Sequence, residues 1–276
     1  MKNFLTSMLF SVLLVCTLAA RMALAQEEPA ASTGTAKSID IENIIRTFTA
    51  KETELRQARE RYSFKRQAVI QTIGMGKQIT GEYHRVSYFT FDDQGKRYEK
   101  VETFPIPTLR GIGVTAEELD ELGGFPLFAL EASQAGHYGF KYGGKERIDD
   151  LDLFIFDVAP KVLPEKKSQV RYFQGRIWVD DRDLQIVKMR GKGVPEGKKR
   201  FPVVEIYREQ IDGRYWLPSY VHADEALELP SGYVVHVRVH VRYKEFERRS
   251  ERSSGVEAGA QAPPQASPPA TSPAKP

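Results

Sequence analysis

The chain has 276 residues, 41% of them hydrophobic, with 40 basic against 37 acidic side chains and a single cysteine, Cys16. That near-neutral balance argues against dedicated nucleic-acid binding, which needs a concentrated basic face. One cysteine excludes an internal disulfide, so the fold must be held by its core.

Residues 1–25 read as a secretory signal peptide. Lys2 opens a positive region, an apolar run follows, and Ala23-Leu24-Ala25 forms an A-x-A cleavage site. The apolar run is too short to favour a spanning helix. Lipidation at Cys16 is disfavoured by Val15, which stands where a lipoprotein signal carries a small residue. Cleavage removes Lys2, Arg21 and Cys16, leaving 38 basic against 37 acidic residues, a net charge of +1. The mature chain then has no cysteine for a nucleophile or for a zinc or iron–sulfur site.

Residues 26–38 are small and polar and read as a flexible leader. From residue 39 the pattern becomes helical. Ile41, Ile44, Ile45, Phe48 and Leu55 share one stripe, with Asp40 as N-cap, and predict an amphipathic helix to about Arg61 that packs on a sheet. Strand signals follow at residues 62–73, 83–91 and 97–104, separated by Gly74-Met-Gly76 and Asp92-Asp-Gln-Gly95. Phe104-Pro-Ile-Pro107 ends that run, because proline cannot donate to a ladder.

A short helical insertion comes next, with Thr115-Ala-Glu-Glu118 fitting a capping box. Beyond Gly123-Gly124 lies a dense apolar patch at residues 125–130. It has two readings, a loop packed under the sheet edge or a mobile lid over an apolar cavity. Strands resume at 138–148 and 151–158. In the second of these, Leu151, Leu153 and Ile155 share one face and Phe154, Phe156 and Val158 the other, so both faces are covered. A loop containing Pro160, Pro164, Glu165, Lys166 and Lys167 leads to a hairpin at 172–190. There Phe173, Ile177 and Val179 alternate with Tyr172, Arg176 and Trp178 before an Asp-rich turn. A glycine- and lysine-rich loop is expected at 191–200. Strands at 203–211 and 214–221 flank Asp212-Gly213, a strong hairpin signal, and 224–230 reads as a polar connection. In the last strand Val235, Val237, Val239, Val241 and Tyr243 face inward. His236, Arg238, His240, Arg242 and Lys244 face water. Residues 250–276, rich in Ala, Pro, Ser and Gly, are expected to be disordered.

On a strand, His236 and His240 stand about 13 Å apart, too far to share one metal ion. If that basic face meets lipid phosphates, Arg238 and Arg242 are its candidates. No Gly-x-Ser-x-Gly, H-E-x-x-H or P-loop pattern is present. The clusters Asp149, Asp150, Asp152 and Asp180, Asp181, Asp183 sit at turns, where Asp is structural, and lack EF-hand spacing. No metal is expected. Aromatics are the remaining resource, since a curved sheet covered by a helix encloses apolar space of the kind that takes small hydrophobic ligands.

Phe173-Gln-Gly-Arg-Ile-Trp-Val-Asp180 with Ile186-Val-Lys188, together with Tyr215-Trp-Leu-Pro-Ser219 and the closing strand at 235–246, resembles the periplasmic outer-membrane lipoprotein-sorting family (LolA/LolB-like, with the related RseB-type sigma-factor regulator domain). The resemblance covers about residues 39–246, within a domain expected at 39–249. It implies a mainly β (α+β) fold, an incomplete antiparallel β-barrel or half-barrel with the helices over its concave face. It also implies a non-enzymatic, monomeric periplasmic binder or carrier of a lipid or lipoprotein acyl chain, without a cofactor. Candidate ligand contacts are Phe89, Phe154, Phe156 and Trp178 in the cavity, with Phe125 and Phe128 as its lid. The alternative is an envelope stress sensor or scaffold that binds a membrane protein. A third reading, a secreted hydrolase, rests only on scattered acids and histidines.

Overall fold

The computed structural model describes residues 39–165, 170–196 and 200–249. The segments read as signal peptide (1–25), leader (26–38) and C-terminal tail (250–276), with residues 166–169 and 197–199, lie outside the described residues.

Helix α1 spans Ile41–Arg59. Its N-cap is Asp40, whose carboxylate accepts the Asn43 amide at 2.9 Å, and Arg56 and Arg59 in the last turn complement the helix dipole. Ile44, Phe48 and Leu55 form its buried stripe. The expected capping box is present on the short helix α2, Ala116–Asp120, where Thr115 and Glu118 bond reciprocally.

Ten strands make one sheet. They are β1 (Tyr62–Ile73), β2 (Ile79–Phe91), β3 (Arg97–Thr103), β4 (Tyr138–Ile148), β5 (Leu151–Pro160), β6 (Tyr172–Asp180), β7 (Ile186–Val194), β8 (Val204–Ile211), β9 (Tyr215–Glu228) and β10 (Val234–Arg248). The order is β3-β2-β1-β10-β9-β8-β7-β6-β5-β4, and every neighbouring pair is antiparallel. β3 and β4 are free edges, so the sheet is open rather than closed into a barrel. The chain leaves one edge at β3 and re-enters at the other at β4. Residues 104–137 therefore have to cross the sheet, and they carry α2 with them.

One face of the sheet holds the main core. Phe64, Phe156, Phe173, Ile177 and Val241 from the strands pack with Ile44 and Phe48 of α1 and with Leu119, Phe125 and Leu130 of the crossover. The opposite, outer face carries a smaller cluster of Leu153, Ile155, Trp178 and Val187. The two-faced reading of β5 and the buried valine face of β10 are thus as expected.

Two segments expected as connections are strand. β7 continues to Val194 because its glycines permit close packing. A Cβ on Gly191 would lie 2.5 Å from the Phe173 ring, and one on Gly193 would lie 2.0 Å from the Gly124 carbonyl oxygen. β9 runs on to Glu228, with Ala223 and Leu227 adding to the core and Asp224 binding the Arg238 guanidinium at 3.0 Å across the ladder. The turns are of the expected chemistry. Asp180 accepts the amides of Arg182 and Asp183 at 3.2 and 3.1 Å, and Asp212 and Gly213 both take positive φ.

Candidate functional site

Two buried arginines hold the covering elements on the core face. In β8, Val204 and Ile206 point to the core, and parity carries Arg208 to the same side. Its guanidinium meets the Glu52 carboxylate of α1 through two hydrogen bonds, 2.5 and 2.9 Å, with the two side chains only 1% and 2% exposed. In β1 the same parity places Arg66 between Phe64 and Ala68. Arg66 is 2% exposed, lies under the Phe89 ring at 4.6 Å, and bonds Asp120 at the end of α2 and Glu99 of β3. Glu99 also receives two hydrogen bonds from Arg85, at 3.1 and 3.0 Å. Helix α1 and the crossover are each tied to the sheet by an ion pair. The period-2 pattern of β1 and β8 carried the signal for both arginines; their partners are distant in sequence.

Beside α2 the sheet and the crossover do not meet completely. They enclose a cavity of about 660 Å³. Ile70, Val204, Leu227, Val237 and Val239, on four adjacent strands, form its floor, and Ile112, Val114 and Leu119 of the crossover form its roof. The polar lining groups Glu121, Arg200 and Ser231 are exposed and mark the mouth. Gly111 and Gly123 bend the crossover with φ of 78° and 72°, and a Cβ on Gly113 would touch nothing within 4 Å. Space remains because glycines stand where side chains would fill it. Glu118, also on the wall, already accepts the Thr115 amide at 2.9 Å. The arrangement can bury hydrocarbon; its walls present no nucleophile paired with a base.

None of the six aromatic candidates lines this cavity. Phe154 and Phe156 belong to the packed core, and Phe156 abuts Phe48 of α1 at a ring distance of 5.6 Å. Phe89 stacks on Phe64 at 4.6 Å. Phe125 packs edge-on to Phe173 at 4.8 Å and is fully buried, while Phe128 packs beside Leu55 and Tyr215. The patch at 125–130 therefore packs under the sheet in this structure. The structure places Trp178 on the outer face, away from the other five, because Ile177 and Val179 fill the core side of β6. There its indole donates to Glu146 at 2.8 Å, and Lys188 lies over its ring at 4.8 Å.

The outer face of β10 is more structured than a simply solvated strand. His222 of β9 sits across from His240 and Tyr220 lies diagonal to it, with the Tyr220 hydroxyl 2.6 Å from His240 Nδ1 and the two imidazoles 5.1 Å apart. Burial, then the neighbouring His222, Arg238 and Arg242, hold the His240 pKa below its ordinary value. His236 is bound to Asp224, and hydrogen bonds from His236 and Arg238 hold the Asp224 carboxyl below the usual range. Among the described residues, no group of three or more His, Asp or Glu side chains could hold a metal ion.

No family model matches the chain, and no curated protein matches it. Solved structures do. A DUF1329 family protein from Desulfovibrio piger aligns at 16% identity over 75% of this chain and 92% of its own, with a TM-score of 0.38. A LolA superfamily protein from Nitrosomonas europaea aligns at 16% identity over 73% and 94%, TM-score 0.33. The MucA/MucB complex of Pseudomonas aeruginosa aligns at 11% identity over 74% and 99%, TM-score 0.22. Of these three, the second carries the LolA name. The open ten-stranded sheet stands on the chain's own strand pairing.

Proposed function

We propose that this protein is a non-catalytic binder or carrier of an apolar ligand in the periplasm, and that the ligand's acyl chain occupies the cavity between α2 and the β1–β10–β9–β8 floor. The observation that carries this reading is a cavity of about 660 Å³ with an aliphatic floor and roof and a polar mouth. Its size falls within the range of small-ligand pockets. The polar mouth suits a ligand with one polar end. Burial supplies the affinity at about 0.8 kcal/mol per methylene, and the signal-like residues 1–25 direct the chain to the envelope. The ligand is thus assigned to the aliphatic cavity rather than to the six aromatic candidates.

Native mass spectrometry of the mature protein isolated from periplasm, followed by lipid extraction, tests the reading. A bound species of acyl-chain mass, displaced by a fluorescent fatty-acid probe, is the expected result. A protein that carries no lipid and rejects the probe overturns it, and co-purification of one membrane protein in its place supports the scaffold alternative.

A further inference from the structure

The outer face of the sheet, opposite the cavity, carries a second depression over β4–β7, of about 1000 Å³. Its floor includes the backbone of Gly139, Gly175 and Gly191, and its lining contains Lys141, Lys161, Arg176, Arg190 and Lys192 against a single acid, Asp157. Strand register concentrates these charges. Arg176 stands directly across from Arg190 on the β6–β7 ladder, and Gln174 across from Lys192. Like charges directly opposite on one face are destabilising, so the pattern is not one that the sheet itself favours.

Neighbouring acids offset part of the charge. Arg176 pairs with Asp157 at 2.7 Å, Arg190 with Glu205 at 3.2 Å and Lys192 with Glu196 at 3.3 Å. Among the described residues Lys141 has no ion-pair partner, and the Lys161 ammonium donates to the Gly136 carbonyl at 3.1 Å. Directly after Lys161 come Val162 and Leu163, which are 78% and 55% exposed. A soluble anion would use the cations and gain nothing from these two side chains. A membrane surface uses both, with phosphates meeting the cations and apolar side chains entering the headgroup boundary.

We propose that this outer groove binds the phosphate groups of an anionic lipid surface, with Val162 and Leu163 entering the headgroup layer beside it. The site is separate from the apolar cavity and stands or falls independently of it. Charge-assisted bonds from arginine and lysine to phosphate oxygen supply the contact, and the attraction weakens as salt shortens the screening length.

The test is co-flotation of the full mature chain with vesicles of phosphatidylcholine alone or with phosphatidylglycerol added. Binding is expected on the anionic vesicles only and should fall with salt. The triple variant Lys141→Gln, Lys161→Gln, Lys192→Gln should lower partitioning about a hundred-fold, roughly five-fold per cation. A control triple with the same charge loss elsewhere, Lys96→Gln, Lys100→Gln, Lys244→Gln, should bind like the parent. Val162→Ser with Leu163→Ser should also weaken binding, with thermal melts unchanged in every variant. Equal binding to both vesicle types, or equal loss in both triples, overturns the proposal. So does competition by inorganic phosphate together with no effect of the serine pair, which would make the groove a free-anion site.

Discussion

The Glu52–Arg208 pair offers the sharpest energetic test of how α1 is held. Glu52→Gln keeps the side-chain shape but removes the carboxylate from a guanidinium that is 1% exposed. Apart from residue 52, Arg208 would keep a bond to the Ile186 carbonyl at 3.3 Å and a weak one to the Met189 sulfur at 3.6 Å, while its Nε is already without a partner. Leaving a buried charge uncompensated costs about 3–5 kcal/mol. With an m-value of about 2–3 kcal/mol/M, the urea midpoint should fall by about 1–2.5 M. Replacing both partners, Glu52→Leu with Arg208→Met, removes both charges together and should cost about 1 kcal/mol or less, since a buried ion pair is weak net stabilisation against an apolar pair. The double-mutant cycle built from Glu52→Leu and Arg208→Met, whose single variants each leave one buried charge unpaired or one partner missing, should therefore show a coupling of about 2 kcal/mol or more. Urea titrations followed by circular dichroism measure the four proteins of the cycle and Glu52→Gln. If Glu52→Gln lies within about 1 kcal/mol of the parent, the pair is not what anchors α1 and the reasoning fails.

Two further outcomes follow from the same packing. Gly193→Ala puts a methyl group 2.0 Å from the Gly124 carbonyl oxygen, backbone against backbone. It should cost about 1–3 kcal/mol and expose residues 104–137 to proteolysis, whereas Gly139→Ala, whose Cβ would meet its nearest atom at 3.8 Å, should be nearly silent in the same digestion. For His240 the folded-state pKa is depressed, so the native state favours neutral imidazole. Its contribution is present above the unfolded value of about 6.5 and is lost as pH falls from there through the folded value. His240→Asn should flatten the loss of melting temperature below neutral pH, and an unchanged acid limb would assign that loss to other groups.

Much of the fold was legible because it is local. The alternation from Val235 to Tyr243, the Asp212-Gly213 turn, the Thr115 capping box and the stripe of α1 each report a period or a turn that needs no partner. The site was less legible because it depends on register and on the crossover. Trp178 and Phe156 look equivalent as aromatic strand residues, yet pairing of Phe156 with Ile177 and of Ile155 with Trp178 sends them to opposite faces. Gly191 and Gly193 read as loop residues until Phe173 and Gly124 are seen to pack on them. The cavity is built from ordinary aliphatics of the consecutive strands β8, β9 and β10 together with β1 and the crossover, which come much earlier in the chain. Arg66 and Arg208 sat on inward positions of their strands, but only their carboxylate partners, Asp120 and Glu99 for the first and Glu52 for the second, explain why a charge is tolerated there.

Hydrocarbon buried in the aliphatic cavity makes affinity depend on the length of the acyl chain. Dissociation constants for saturated fatty acids of increasing length should tighten about four-fold per methylene, from about 0.8 kcal/mol each, and then level off when the space of about 660 Å³ is filled. Ile112→Asp, which places a carboxylate on the cavity roof, should abolish that dependence while leaving the melting temperature close to the parent's. Affinity that does not change with chain length, or a slope that survives Ile112→Asp, would contradict the account.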